Sequence, residues 1–149
     1  MTFIDALRYA MPIIAATASD DTIALVTEAA RDHDVPVEVL VSVCTAESSL
    51  GRGHYLCGMP PRWSTPRAQA NGAARALARW HRVCRTWERA VQFYHTGRCE
   101  VVACPASHGH GTVPYGAAVM LNANRIREAM SDEDHVPHMG PMNDSTTCF

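Results

Sequence analysis

The 149-residue sequence predicts an all-α, mostly helical domain, and three observations predict it. Apolar residues recur at helical spacing in successive stretches. Capping residues stand ahead of those stretches, and Gly or Pro follows them. No segment alternates apolar and polar residues over more than a few positions, as a half-buried strand would. The length suits one domain with one core. A composition 47% hydrophobic and 19% charged excludes wholesale disorder. No stretch approaches the roughly 18 apolar residues that a spanning helix needs.

The first element is expected near residues 3–11, where Phe3, Ile4, Leu7 and Met11 recur close to the helical period. The same region, with the apolar run 9–16 and Ala16-Thr17-Ala18 after it, also resembles a weak export signal. Residues 1–19 are therefore read as an N-terminal helix or a signal-like segment. Ser19-Asp20-Asp21-Thr22 caps a second helix, whose acids suit its positive end and whose face is Ile23, Val26, Ala29 and Ala30. Asp34-Val35-Pro36 breaks it. Pro36 then opens a third helix with the stripe Val37, Leu40, Val41, Cys44, Glu47 and Ser48, ended by Gly51 and Gly53. Residues 51–65 read as a Gly/Pro-rich loop. Thr65-Pro66 opens the next helix, and the stripe Trp80, Cys84, Trp87, Val91, Tyr94 carries it unbroken to a stop at Gly97. Residues 98–113 are a second loop. Pro114 starts the last helix, with Tyr115, Val119, Asn122, Ile126 and Met130 on one side. Residues 20–130 form the domain, and 131–149 read as a flexible polar tail.

All 13 basic residues are arginines, and nine of them lie within residues 52–98 against a single acid, Glu88. That polarity points to an anionic partner or to a solvated helix face. The six cysteines, an even count, fit an oxidising compartment and at least one disulfide. Cys99 and Cys104 are close enough to pair locally, and Cys44 reads as a core residue. Cys99, Cys104, His108 and His110 also have the donor types of a zinc site, although not the spacing of a familiar finger.

Glu47 is the carboxylate that position singles out. It continues an apolar stripe, where loss of hydration would raise its pKa and fit it to act as a general acid. A partner carboxylate is hard to find. Between Asp34 and Asp132 the other acids are Glu38, Glu88, Glu100 and Glu128. Glu38 lies about two and a half turns earlier on the same helix. A glycosidase built here would have to work with one carboxylate, where most use two.

The run from Val35 to Gly51, ending Ala46-Glu47-Ser48-Ser49-Leu50-Gly51, resembles the catalytic helix of soluble-type lytic transglycosylases, whose hallmark is a Glu-Ser pair closing an apolar helix. Further motifs follow in family order. Cys57-Gly58-Met59-Pro60 resembles the Gly-Leu-Met-Gln segment, Phe93-Tyr94-His95-Thr96-Gly97 the Ala-Tyr-Asn-x-Gly motif, and Tyr115 with Val119 the closing Tyr…Val segment. The family's Gln is missing near Pro60-Pro61, and His95 stands where it has Asn. The resemblance implies a lysozyme-like fold and cleavage of the bond between N-acetylmuramic acid and N-acetylglucosamine. Glu47 would act as acid and then as base, closing a 1,6-anhydro ring. Ser48, Met59, Tyr94, His95 and Tyr115 would be substrate-binding residues, Tyr94 also a candidate to orient Glu47. No cofactor or metal is called for. The implied partner is peptidoglycan, in the cell envelope or a phage virion, with envelope or particle assembly partners. Two other readings are a non-catalytic wall-binding or virion module of the same fold, and a small Arg-rich nucleic-acid-binding protein. Acidic flanks and a pI of about 6.4 argue against the last.

Overall fold

The computed structural model describes residues 2–11, 18–48, 50–51, 55–60, 65–101 and 114–131. Among them are six α-helices and one 3-10 turn, with no strand, so the chain is all-α as its periodicity requires. The expected polar tail lies outside the described residues beyond Ser131, which closes the last helix.

Local chemistry sets the helix starts. Helix α1 (Phe3–Ala10) begins with a reciprocal capping box between Thr2 and Asp5. Helix α2 (Asp20–Asp32) is capped by Ser19, whose hydroxyl accepts from the Thr22 amide. Helix α3 (Val37–Ser48) starts where the Pro36 carbonyl accepts from the Val39 and Leu40 amides. Helix α4 (Pro66–Cys84) is capped by Thr65 and has Pro in its first turn. Helix α5 is Trp87–Thr96, and α6 is Tyr115–Ser131.

The stripe from Trp80 to Tyr94 does not run through one helix. Arg85 takes a left-handed conformation (φ 75°) that ends α4, and Thr86 caps α5 by accepting from the Arg89 amide. The spacing survives the break because α4 and α5 fold back on each other as a pair. Trp80 stacks on Phe93 and His81 stacks on Trp87, with ring centroids 3.7 and 3.8 Å apart, across that pair.

Helix α3 lies at the centre. It packs against α2, α4 and α6, and Val39, Leu40, Val41, Val43 and Cys44 are all fully buried. A helix buried around most of its circumference belongs inside a core, so α3 is enclosed well beyond the single stripe read from the sequence. Helix α6 packs along α3 and also supports α1, whose Leu7 joins the core. Its buried face is Tyr115, Val119, Ala123, Ile126 and Ala129. Met130, expected on that face, is exposed, because steps of four drift off a 3.6-residue period. Among the described residues no helix is long and apolar enough to cross a membrane.

Two disulfides staple this frame. Cys44 pairs with Cys57, and Cys84 with Cys99. Cys44 is therefore a cross-link rather than a bare core residue. Cys99 cannot pair with Cys104 or offer a thiolate to zinc; Cys104, His108 and His110 lie outside the described residues.

Candidate active site

The C-terminal end of the central helix delivers Glu47 to the surface, where its side chain keeps 22% exposure. Just beyond it the chain turns through Leu50 and Gly51, both at positive φ, with the Leu50 amide returning to the Cys44 carbonyl. The 3-10 turn Leu56–Gly58 then comes back against Glu47.

That turn is gripped from four directions. The Cys44–Cys57 disulfide ties it to α3. The Cys57 amide donates to Ser48 Oγ at 3.0 Å, and the Cys57 carbonyl accepts from the Tyr94 hydroxyl at 2.6 Å. The Leu56 amide donates to Gln69 Oε1 of α4 at 2.8 Å. Cys57 itself sits at φ 60°, a conformation that a non-glycine residue adopts only when its surroundings impose it. Gly58, at φ 68°, lies directly under the carboxylate, and a Cβ there would come within 2.8 Å of Glu47 Oε2. Only glycine lets the turn approach so closely.

The other carboxylate oxygen faces aromatic residues. Tyr115, fully buried at the start of α6, donates its hydroxyl to Glu47 Oε1 at 2.7 Å. His95 Nδ1 lies 3.7 Å from the same oxygen, and its ring stacks on Tyr115 with centroids 4.3 Å apart. Burial first, and the Glu47 charge second, hold the Tyr115 and Tyr94 hydroxyls well above the usual phenol range. Both remain O–H donors at any ordinary pH. Behind them, Gln92 of α5 accepts from the Gly116 amide at 2.7 Å and fixes the start of α6. A Cβ on Gly116 would meet the Glu88 carbonyl at 2.6 Å, so the approach of α6 to α5 depends on that glycine.

The residues singled out from the sequence converge here, though not always in the expected roles. Ser48, expected at the substrate, uses its hydroxyl on the backbone: it donates to the Cys44 carbonyl and accepts from the Gly51 and Cys57 amides. One donor and two acceptor positions are thereby filled. Met59 lies half-buried, with its sulfur 3.3 Å from the Tyr94 hydroxyl. Tyr94, expected to orient Glu47, instead supports the turn beneath it, and Tyr115, expected to line a cleft, is the direct partner. Trp80 and Trp87 stand apart in the α4–α5 stack. The sequence reading did not pick out Gln69, Gln92 or the Cys44–Cys57 pairing. A buried Gln on an otherwise apolar helix face was the available signal for the first two.

Among the described residues no arginine pairs with Glu47, and the other acid of its helix, Glu38, is held by Arg127 of α6 at 2.9 Å. No cluster of metal-ligating side chains occurs among them either. The arrangement can present one carboxyl group with a fixed orientation, one oxygen held by Tyr115 and the other lying over Gly58. No protein-family model, curated protein or solved structure matches this chain.

Proposed function

We propose that this chain is a peptidoglycan-cleaving lytic transglycosylase of lysozyme-like fold, with Glu47 as its single acid–base group. The observation that carries the reading is convergence. The segments that resemble the family's motifs, around Glu47, Gly58, Tyr94 and Tyr115, meet at one carboxylate although up to 68 residues separate them. The other acid on the same helix, Glu38, is engaged by Arg127, which leaves Glu47 as the carboxyl group that this helix offers and fits a scheme with a single acid–base group. The two disulfides fit a setting outside the reducing cytoplasm.

In this mechanism the Glu47 carboxyl protonates the glycosidic oxygen between N-acetylmuramic acid and N-acetylglucosamine, and that C–O bond breaks. Positive charge develops at the anomeric carbon of the muramic residue. The carboxylate then takes the proton of the C6 hydroxyl as its oxygen bonds to that carbon, closing the 1,6-anhydro ring and restoring the acid. Tyr115, with the His95 ring stacked on it, keeps the carboxyl group in one orientation through both transfers.

Digestion of purified peptidoglycan, followed by mass spectrometry of the soluble products, tests the reading. The wild type is expected to release anhydro-muropeptides, and Glu47→Gln to release at least a hundredfold less, on the order of other lost acid–base groups. Equal release by both proteins removes Glu47 from the chemistry. Wall binding without products in either protein favours a non-catalytic module.

A further inference from the structure

One face of the molecule carries charge that the fold leaves unbalanced. Arg75, Arg79 and Arg82 are exposed and lie at i, i+4 and i+7 on α4, opposite the buried Ala73, Leu77 and Cys84. Arg85 at the end of α4 and exposed Arg89 in the first turn of α5 add two more charges beside its C-terminal end. Among the described residues, the arginines in ion pairs are Arg8, Arg67 and Arg127, none of them on this ridge. Arg79 lies over the Trp80 ring at 5.1 Å. Like charges at i, i+3 and i, i+4 repel one another and destabilise a helix. An ordinary solvated face would intersperse acids, and this one has none between Arg75 and Arg85.

We propose that this ridge binds a linear phosphodiester polyanion of the cell wall, of the poly(glycerol phosphate) kind. Helical rise sets the attachment points of Arg75, Arg79 and Arg82 roughly 6 and 4.5 Å apart along α4, a row that suits a polymer with closely repeated charges. Guanidinium also pairs with phosphate through two parallel hydrogen bonds. A single-stranded nucleic acid would need open aromatic faces for its bases, whereas Trp80 and Trp87 are stacked on Phe93 and His81. An anionic membrane surface would attract the same arginines by charge alone, but beside them only Val83 is an exposed apolar residue to insert, the main apolar face of α4 being buried in the core. The disulfides fit a setting outside the cytoplasm, and the choice of the wall within it rests on the reading proposed above. His95 lies six residues beyond Arg89 on α5, about 9 Å along the helix and about a third of a turn around it. A polymer held on the ridge would keep the enzyme on the wall beside the strand that Glu47 cuts.

Binding of the full chain to poly(glycerol phosphate) at low and raised salt tests this. Arg75→Gln/Arg79→Gln/Arg82→Gln is expected to bind at least about tenfold more weakly, with a shallower salt dependence. The control Arg8→Gln/Arg67→Gln removes two charges from elsewhere and should stay within about twofold of wild type. Glu47→Gln should bind as the wild type does, so loss of cleavage and loss of binding are read in separate variants. Circular dichroism confirms that the triple variant is folded. The proposal is overturned if the wild type does not bind, if the control loses as much as the triple variant, or if duplex DNA, single-stranded DNA or phosphatidylglycerol vesicles bind more tightly than the polymer.

Discussion

The two disulfides close loops of nearly equal length, 13 and 15 residues of separation, yet they hold very different regions. Cys44–Cys57 joins the end of the central helix to a turn that touches Glu47, and both cysteines are fully buried. Cys84–Cys99 joins the end of α4 to the chain beyond α5, and Cys99 is half-exposed. Loop length sets most of the entropy that a cross-link removes from the unfolded chain, so the two should stabilise the protein alike, by about 3 kcal/mol each. They should differ in what else they do. The first holds Cys57 in its left-handed conformation beneath the carboxylate, and the second fastens a helical hairpin.

Removing each bridge gives the largest expected effects and the sharpest contrast. Cys44→Ala/Cys57→Ala should lower unfolding free energy by about 3 kcal/mol. It should also cut anhydro-muropeptide release about a hundredfold, since a shift of the turn by an ångström displaces Glu47. Cys84→Ala/Cys99→Ala should lose similar stability in urea and keep release within about threefold when assayed well below its melting temperature. Release kept within about threefold in both variants would mean that Cys44–Cys57 acts only on the unfolded chain.

Two glycines repeat the contrast on a smaller scale. At Gly97 (φ 74°) nothing lies within 4 Å of the place a Cβ would take, so Gly97→Ala meets only backbone strain, about 1–2 kcal/mol. Gly58→Ala adds a contact of 2.8 Å with Glu47 Oε2 to the same strain. We expect a loss of about 2–3 kcal/mol and a fall of about tenfold or more in product release for Gly58→Ala. For Gly97→Ala we expect release unchanged. Urea unfolding and product analysis on the same preparations check both.

What the sequence revealed of this site, and what it hid, follow from the range of the interactions. The starts of α2 and α4 were legible because Ser19 and Thr65 act on amides three residues away. Glu47 was legible through its place at the end of an apolar helix and through the motifs around it. The break at Arg85 was not, because a stripe spaced by three and four continues across it; Thr86, a good capping residue, was the local signal. The cysteine pairing was hidden because six cysteines allow 15 full pairings, and only the return of the turn to α3 selects Cys57 for Cys44. The burial of α3 around most of its circumference was equally non-local, since it depends on α2, α4 and α6 arriving together.

The Tyr115 contact predicts a pH effect with a definite sign. Its hydroxyl, like that of Tyr94, is held above the range near 10 at which it ionises in the unfolded chain. The unfolded state therefore gives up these protons first. The stabilisation is complete below about pH 10 and is lost as pH rises from there towards the folded values. Each site tyrosine adds up to about 1.4 kcal/mol per pH unit to that alkaline slope. Tyr115→Phe should halve this part of the slope and lower stability at neutral pH by about 1.5 kcal/mol, because it removes the hydrogen bond that the buried hydroxyl makes to Glu47. Urea unfolding from pH 8 to 11 gives both quantities. An unchanged slope would mean that the two hydroxyls ionise without unfolding.

The smallest effect tests whether the site owes its rigidity to the clamp or to the helix that carries it. Thr45 lies between Cys44 and Glu47, 5% exposed, and among the described residues its hydroxyl finds no hydrogen-bond partner. An unpaired buried hydroxyl costs stability that an isosteric methyl does not. Thr45→Val should therefore raise unfolding free energy by about 1 kcal/mol and the melting temperature by about 2–4 °C. If the disulfide, Ser48, Tyr94 and Gln69 set the position of the turn, a more stable α3 leaves the carboxylate where it was, and product release stays at the wild-type level. A change in release without any change in the Cys44–Cys57 bridge would shift the positioning role from the turn to the helix.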